Sequence, residues 1–182
     1  MARGGMKNMD RLLRKINRLG GDVKKELRTG VAQGTKLIQG DAKDNAPVGD
    51  GQLQNSIKEE VKDVDANTIQ GRVFTNLEHA PYVEFGTGPV GQANNADLPP
   101  DLRSKITYRQ DGWWIHESQI DAATAEKYHF FKVETGEGVF YYTRGMKPQP
   151  YMYPATQARK DDVPKVIAAH LNKALQRLGG GA

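Results

Sequence analysis

Four histidines and no cysteines limit the chemistry that this 182-residue chain can perform. No histidine has a second one at the helical spacing of a metal-binding pair. His116-Glu117 resembles the start of a zinc-protease helix, but Ile120 occupies the position of the second histidine. The lack of cysteine excludes a thiolate nucleophile, a cysteine zinc site and disulfide bonds. We therefore expect no catalytic residue, no metal site and no cofactor, and we do not expect an enzyme.

Basic residues concentrate near the N-terminus, where residues 1–36 contain ten Lys or Arg and three Asp or Glu. The remaining residues are net negative by three charges. The N-terminal basic face, on one side of a predicted helix, consists of Arg11, Arg14, Lys15 and Arg18. Such a face can neutralise DNA phosphates, or it can be the solvated side of an amphipathic helix. No aromatic residue is interleaved with these basic residues to stack on bases, which weakens the nucleic-acid interpretation. A small basic nucleic-acid-binding protein is therefore kept as the alternative interpretation.

Aromatic residues concentrate in the second half of the chain. None of the fourteen lies before Phe74, and eleven lie between Tyr108 and Tyr153. Adjacent aromatics such as Trp113-Trp114 and Tyr141-Tyr142 point to opposite faces of a strand. One face of each pair must then be covered, either by a helix of the same chain or by a neighbouring subunit.

Hydrophobic periodicity predicts the elements that position these residues. Apolar residues spaced by three or four predict an N-terminal helix over residues 9–45, as two helices or as one helix weakened by Gly20-Gly21. A C-terminal helix over residues 154–178 is predicted to open at Pro154 and to kink or restart at Pro164. Residues 56–64 and 69–75 read as a strand pair around the turn at 65–68.

The middle of the chain reads as a loop and hairpin insertion over residues 86–147. We expect residues 86–104 to form a long loop that orders against neighbouring subunits. One aromatic hairpin is expected to pair residues 105–109 with 112–116, and a second to pair 128–134 with 139–143. We read residues 80–85 as an extended segment ending at Gly86.

Glu84 is the one charge in that apolar segment. Strand alternation places it opposite Val83 and Phe85, with Tyr82 on its own side. It then faces solvent, or it pairs with a basic residue of a neighbouring subunit.

Together these elements predict a single α+β domain over residues 1–182. It has a twisted antiparallel sheet, a long N-terminal helix, a C-terminal helix and an inserted aromatic hairpin region. No apolar run reaches the roughly 18 residues that a membrane helix needs, so no membrane partner is expected.

Three motifs in this order resemble the family of tailed-bacteriophage neck and tail-completion proteins, which includes head–tail joining and minor tail proteins. They are APVGDGQLQNSI at 46–57, HAPYVEFGTG at 79–88 and PQPYMYPA at 148–155. The resemblance spans roughly residues 9–178. Its specificity comes from the combination of the three motifs.

The resemblance implies a structural virion protein, made in the host bacterial cytoplasm and located at the head–tail junction or upper tail. It implies a ring of subunits, six rather than twelve, that contacts connector, head-closure and tail proteins and lets DNA pass. The N-terminal basic face would then line the channel or meet an acidic partner. The candidate subunit-interface residues are Tyr82, Glu84, Phe85, Trp113, Trp114, Tyr141 and Tyr142.

Overall fold

The computed structural model describes residues 4–49, 51–65, 68–96 and 98–179, with helical side chains described from residue 20 to residue 177. The chain divides into two compact units. The terminal unit comprises Met1–Asn76 and Tyr151–Ala182, and the central unit comprises Leu77–Pro150. Within the described residues, no helix is long and apolar enough to cross a membrane.

Helices alternate with two small groups of strands along the chain. The helices are α1 (Gly4–Asn45), α2 (Gln52–Ser56), α3 (Ala80–Phe85), α4 (Gly88–Ala93), α5 (Pro100–Arg103), α6 (Ala122–Lys127), α7 (Met152–Ala158) and α8 (Asp162–Gly179). The strands are β1 (Lys58–Asp63), β2 (Ile69–Phe74), β3 (Trp113–His116), β4 (Phe131–Thr135) and β5 (Gly138–Thr143). The α+β class is confirmed, but the single expected sheet is two: β1-β2, and β3-β5-β4.

The terminal unit is built on α1, which runs without a break through Gly20-Gly21. Gly30 and Gly34 lie one helical turn apart on its buried side, facing α8. A Cβ at Gly30 would lie 3.0 Å from the Ile167 Cα, and one at Gly34 would lie 2.9 Å from the Val163 Cγ1. The missing side chains therefore let the two helices approach closely.

Polar contacts also join α1 to the C-terminal helices. Arg159 donates to both carboxylate oxygens of Asp41, at 2.6 and 2.8 Å. The hydrogen bond from Arg159 holds the pKa of Asp41 below its usual value. Further along α8, His170 Nδ1 lies 3.0 Å from Glu26 Oε2, and Arg177 donates to Glu26 Oε1 at 2.7 Å. The contact with His170 is the main cause that lowers the pKa of Glu26.

The predicted strand pair of the terminal unit is confirmed. β1 and β2 are antiparallel, from Lys58 opposite Phe74 to Asp63 opposite Ile69. Residues 66 and 67 of the predicted turn lie outside the described residues. The hairpin packs on α1, and Thr35 of that helix lies against Gly71, where a side chain would collide with it.

The C-terminal helix predicted over residues 154–178 is two helices, separated at residues 159–161. Pro154 is the third residue of α7 and Pro164 the third of α8. A proline in a first turn removes an N–H that has no intrahelical partner, so both helices accommodate it. The prediction of a restart near Pro164 is confirmed, and no kink is needed to explain it.

The central unit corrects the reading of residues 80–85 as extended. They form α3, because Pro81 suits the first turn of a helix and Gly86, at φ 73°, ends it. Residues 86–104 are not one long loop, since they contain α4 and α5. Thr87 N–H donates to the Met146 carbonyl at 3.0 Å, so this segment is ordered by its own unit.

The second predicted hairpin is confirmed and the first is wrong. β4 and β5 pair antiparallel, from Phe131 opposite Tyr142 to Thr135 opposite Gly138. β3 pairs with β5 and not with residues 105–109. Tyr108 in that segment is buried, and its hydroxyl donates to the Phe85 carbonyl at 2.8 Å. This contact holds the segment against α3, so it does not form a strand.

Replacing Gly30 by leucine should destabilise the protein, because the new side chain must displace the α8 backbone at Ile167. We expect Gly30→Leu to lower the free energy of unfolding by about 1–3 kcal/mol. Gly40 on the same helix is exposed with nothing within 4 Å, so Gly40→Leu should raise it by up to about 1 kcal/mol. Urea unfolding of both variants measures the difference, and equal effects would contradict the close helix contact.

The Asp41–Arg159 pair predicts a pH-dependent contribution to stability. Because the pKa of Asp41 is lowered on folding, its contribution is present above the ordinary aspartate pKa of about 3.9 and is lost as pH falls through the folded value. Asp41→Asn should be less stable than wild type at pH 7, and the gap should close on acidification. Urea unfolding from pH 7 to pH 2 measures this. Asp44→Asn, an equal charge change at an exposed site on α1, is the matched control. A gap between Asp41→Asn and wild type that stays constant with pH would contradict this role of the Asp41–Arg159 pair.

Candidate functional site

The three-stranded sheet of the central unit carries aromatic side chains in two rows across one face. The strand register places Trp114, Tyr142 and Phe131 side by side in the first row. The Trp114 ring centroid lies 5.1 Å from that of Tyr142 and 6.2 Å from that of Phe131. In the second row, His116 meets Phe140 edge-on at 5.0 Å. We call this surface the aromatic face.

The aromatic face is open to solvent at its two ends. Phe131 is 65% exposed and Trp114 is 47% exposed, while Tyr142 between them is half-buried. Large exposed aromatic rings in a contiguous group are unusual on a monomer and mark interaction surfaces. Adjacent aromatics were expected to leave one face of the sheet in need of cover. The structure identifies that face.

The opposite face of the sheet is the inner face of the central unit. Tyr141 is only 8% exposed there, and Trp113 is half-buried. Trp113 and Ile115 line an open apolar groove of about 670 Å³, together with residues such as Phe130 and Met146. Two predicted interface residues, Trp113 and Tyr141, therefore pack inside their own unit.

Helix α3 divides the other three predicted interface residues between two sides. Tyr82 is 58% exposed, and it lines a groove of about 460 Å³ with Phe85 and Tyr108. Glu84 is on the other side of the helix and only 5% exposed. The expectation of a solvent-facing strand residue at Glu84 is wrong, because helical spacing turns its side chain with Ala80 into the interior.

The N-terminal basic face lies outside the described side chains, which begin at residue 20. It consists of Arg11, Arg14, Lys15 and Arg18. The next basic residues along α1 are described. Lys24 and Arg28 bind the Asp63 carboxylate at 2.9 and 2.6 Å. Their contacts, led by the hydrogen bond from Lys24, lower the pKa of Asp63. This stretch of positive charge is therefore engaged within the terminal unit.

The His116 and His170 side chains have structural contacts, and those of His170 are described above. His116 Nδ1 lies 2.8 Å from the Ser118 hydroxyl, and Nε2 lies 3.2 Å from the Glu137 carbonyl. Within the described part of the chain, no three His, Cys, Asp or Glu side chains come together as a metal-binding group.

Phe131 and Phe140 belong to the aromatic face, but neither was among the predicted interface residues. The turn between β4 and β5 contains two residues, Gly136 and Glu137, where four were predicted at 135–138, and both turns give the same strand register. A two-residue turn sets Phe131 opposite Tyr142 and therefore next to Trp114. The glycine-containing turn was the available signal for this register.

Comparison with protein families gives one match. Residues 10–86 match the family described as "Bacteriophage HK97-gp10, putative tail-component". The matched segment runs from α1 to just past the end of α3, and it includes the first motif and residues 79–86 of the second. The predicted resemblance to phage neck and tail-completion proteins is confirmed at this level. No curated protein and no solved structure matches the chain.

Proposed function

We propose that this chain, whose residues 10–86 match a family of phage tail components, is a structural protein of the phage neck or upper tail. In this proposal six copies form a ring that contacts connector, head-closure and tail proteins and lets DNA pass. The family match carries the proposal. The third motif, PQPYMYPA at 148–155, lies outside the matched residues and adds support.

The aromatic face is the proposed contact with an adjoining subunit or ring. Phe131 and Trp114 remain exposed in the folded chain, and interfaces are enriched in such rings. Contacts in a cyclic ring are heterologous, so the aromatic face would meet a different surface on the next molecule. Tyr82, exposed on α3, is the second proposed contact residue.

The N-terminal basic face is proposed to line the channel or to meet an acidic partner. Residues 1–36 have a net charge of +7, while the rest of the chain is slightly negative. A positive lining would attract the phosphate backbone without reading its sequence.

Removing the exposed rings should stop assembly without unfolding the chain. Trp114→Ser combined with Phe131→Ser should lower the melting temperature only modestly, because Phe131 is 65% exposed and Trp114 is 47% exposed in the folded chain. We expect at least about a tenfold loss of infectivity when this variant complements a phage that lacks the wild-type protein. Leu175→Ser, a change at an exposed apolar residue of α8, is the matched control and should complement normally. Normal neck assembly by the double variant would contradict this role of the aromatic face.

Reversing the N-terminal basic face separates the neck proposal from the nucleic-acid alternative. We expect Arg11→Glu, Arg14→Glu and Arg18→Glu together to lower infectivity at least about tenfold, while reversal of Arg103, Lys105 and Lys127 should have little effect. Light scattering at low and moderate salt, with DNA retention measured in the same samples, completes the test. A wild-type monomer that ignores phage components and holds DNA in a salt-dependent way would support the alternative.

A further inference from the structure

Strand β4 has an open outer edge. The sheet order is β3-β5-β4, so β4 pairs with β5 on one side only. Within the described residues, no other strand pairs with its outer side. Phe131, Lys132, Glu134 and Thr135 along it are exposed. An open strand edge is a template for another strand, which natural proteins usually block with charges.

The hairpin geometry determines which backbone groups point outward. β4 and β5 are joined by a two-residue turn, with Thr135 opposite Gly138. In such a turn the closing pair is hydrogen bonded, and bonded pairs alternate along the ladder. The backbones of Thr135, Val133 and Phe131 therefore bond to β5. Lys132 and Glu134 present their N–H and C=O groups to the outside.

These two outward residues carry opposite charges. Lys132 Nζ lies 2.7 Å from Glu134 Oε1 within the chain. If a second copy of β4 runs antiparallel with Val133 opposite its own copy, each Lys132 lies opposite the other copy's Glu134. A shift of two residues either way sets Lys132 opposite Lys132 or Glu134 opposite Glu134, and like charges directly opposite are destabilising. Lys132 and Glu134 therefore disfavour the alignments shifted by two residues and form opposite-charge pairs in the alignment centred on Val133.

The same alignment extends the aromatic face. Phe131, Val133 and Thr135 alternate with the charged pair and lie on the side of the sheet that carries Trp114. Phe131 comes opposite the Thr135 of the second copy, and the two Val133 side chains meet at the symmetry axis. The two sheets join into six strands, and Phe131, now 65% exposed, gains cover.

We propose that a second copy of this chain docks along β4 in this two-fold register, so that the free protein is a dimer. The contact is isologous and closes at two copies. A cyclic ring uses heterologous contacts, so the dimer is the state of the chain before it enters a ring. The complementarity of Lys132 and Glu134 on the outward positions carries the proposal.

A charge swap tests the register. Light scattering and sedimentation over about 1–200 µM protein, a range suited to a small interface, should show a wild-type dimer. Lys132→Glu and Glu134→Lys should each weaken dimerisation at least about tenfold, because each sets like charges opposite one another twice. The double variant Lys132→Glu with Glu134→Lys should restore it. A monomeric wild type, or single variants that dimerise like wild type, would overturn the proposal.

A crosslink tests the same register without altering charge. The chain has no cysteine, so Val133→Cys introduces a single thiol at the symmetry axis. Opposite residues in a non-hydrogen-bonded pair are close enough for a disulfide. Mild oxidation should therefore link two copies. Thr135→Cys on the same strand should not crosslink, since it faces Phe131 of the other copy. Equal crosslinking of both variants would overturn the register.

These experiments use the isolated full chain, and complementation of a phage tests the neck role separately. A charge-swap series without effect on self-association would remove the dimer and leave the neck proposal standing.

Discussion

The close approach of α1 and α8 is the contact on which the terminal unit depends. Gly30 and Gly34 remove the side chains that would hold these helices apart. Once the helices are close, Glu26 reaches His170, and Asp41 reaches Arg159. Each is a charge-assisted contact that a wider helix spacing would break. The hairpin β1-β2 then packs on α1, again at a glycine, Gly71.

Sequence patterns predicted the elements whose signals are long or local. Helical spacing over residues 9–45 identified α1, a short polar turn at 65–68 identified the hairpin β1-β2, and a glycine-containing turn identified β4-β5. Residues 80–85 were misread, because a six-residue apolar run fits a helix or a strand equally well. The partner of β3 was also misread. That choice depends on Tyr108 reaching Phe85, a contact that no local pattern contains.

The candidate site could be predicted only in part, for the same reason. Alternation correctly separated Trp113 from Trp114, and Tyr141 from Tyr142, onto two faces of the sheet. Alternation does not tell which face is inner, because that depends on the distant segment at residues 145–149, which lines the same groove as Trp113. The aromatic face also lies outside the residues that match the phage family. The family match and the exposed rings are therefore independent observations on different parts of the chain.

The exposed rings of the central unit carry apolar area that the fold does not bury. Burying a phenylalanine or tryptophan side chain fully is worth about 1.5–3 kcal/mol, and Phe131 and Trp114 realise only part of it in the folded chain. The fold does not need that remainder, because Trp113 and Tyr141 on the inner face already supply its core. Rings that stabilise a contact more than they stabilise the fold suit the assembly role that we propose for this chain. The same logic applies along β4, where Lys132 and Glu134 disfavour the alignments shifted by two residues and match in the proposed one.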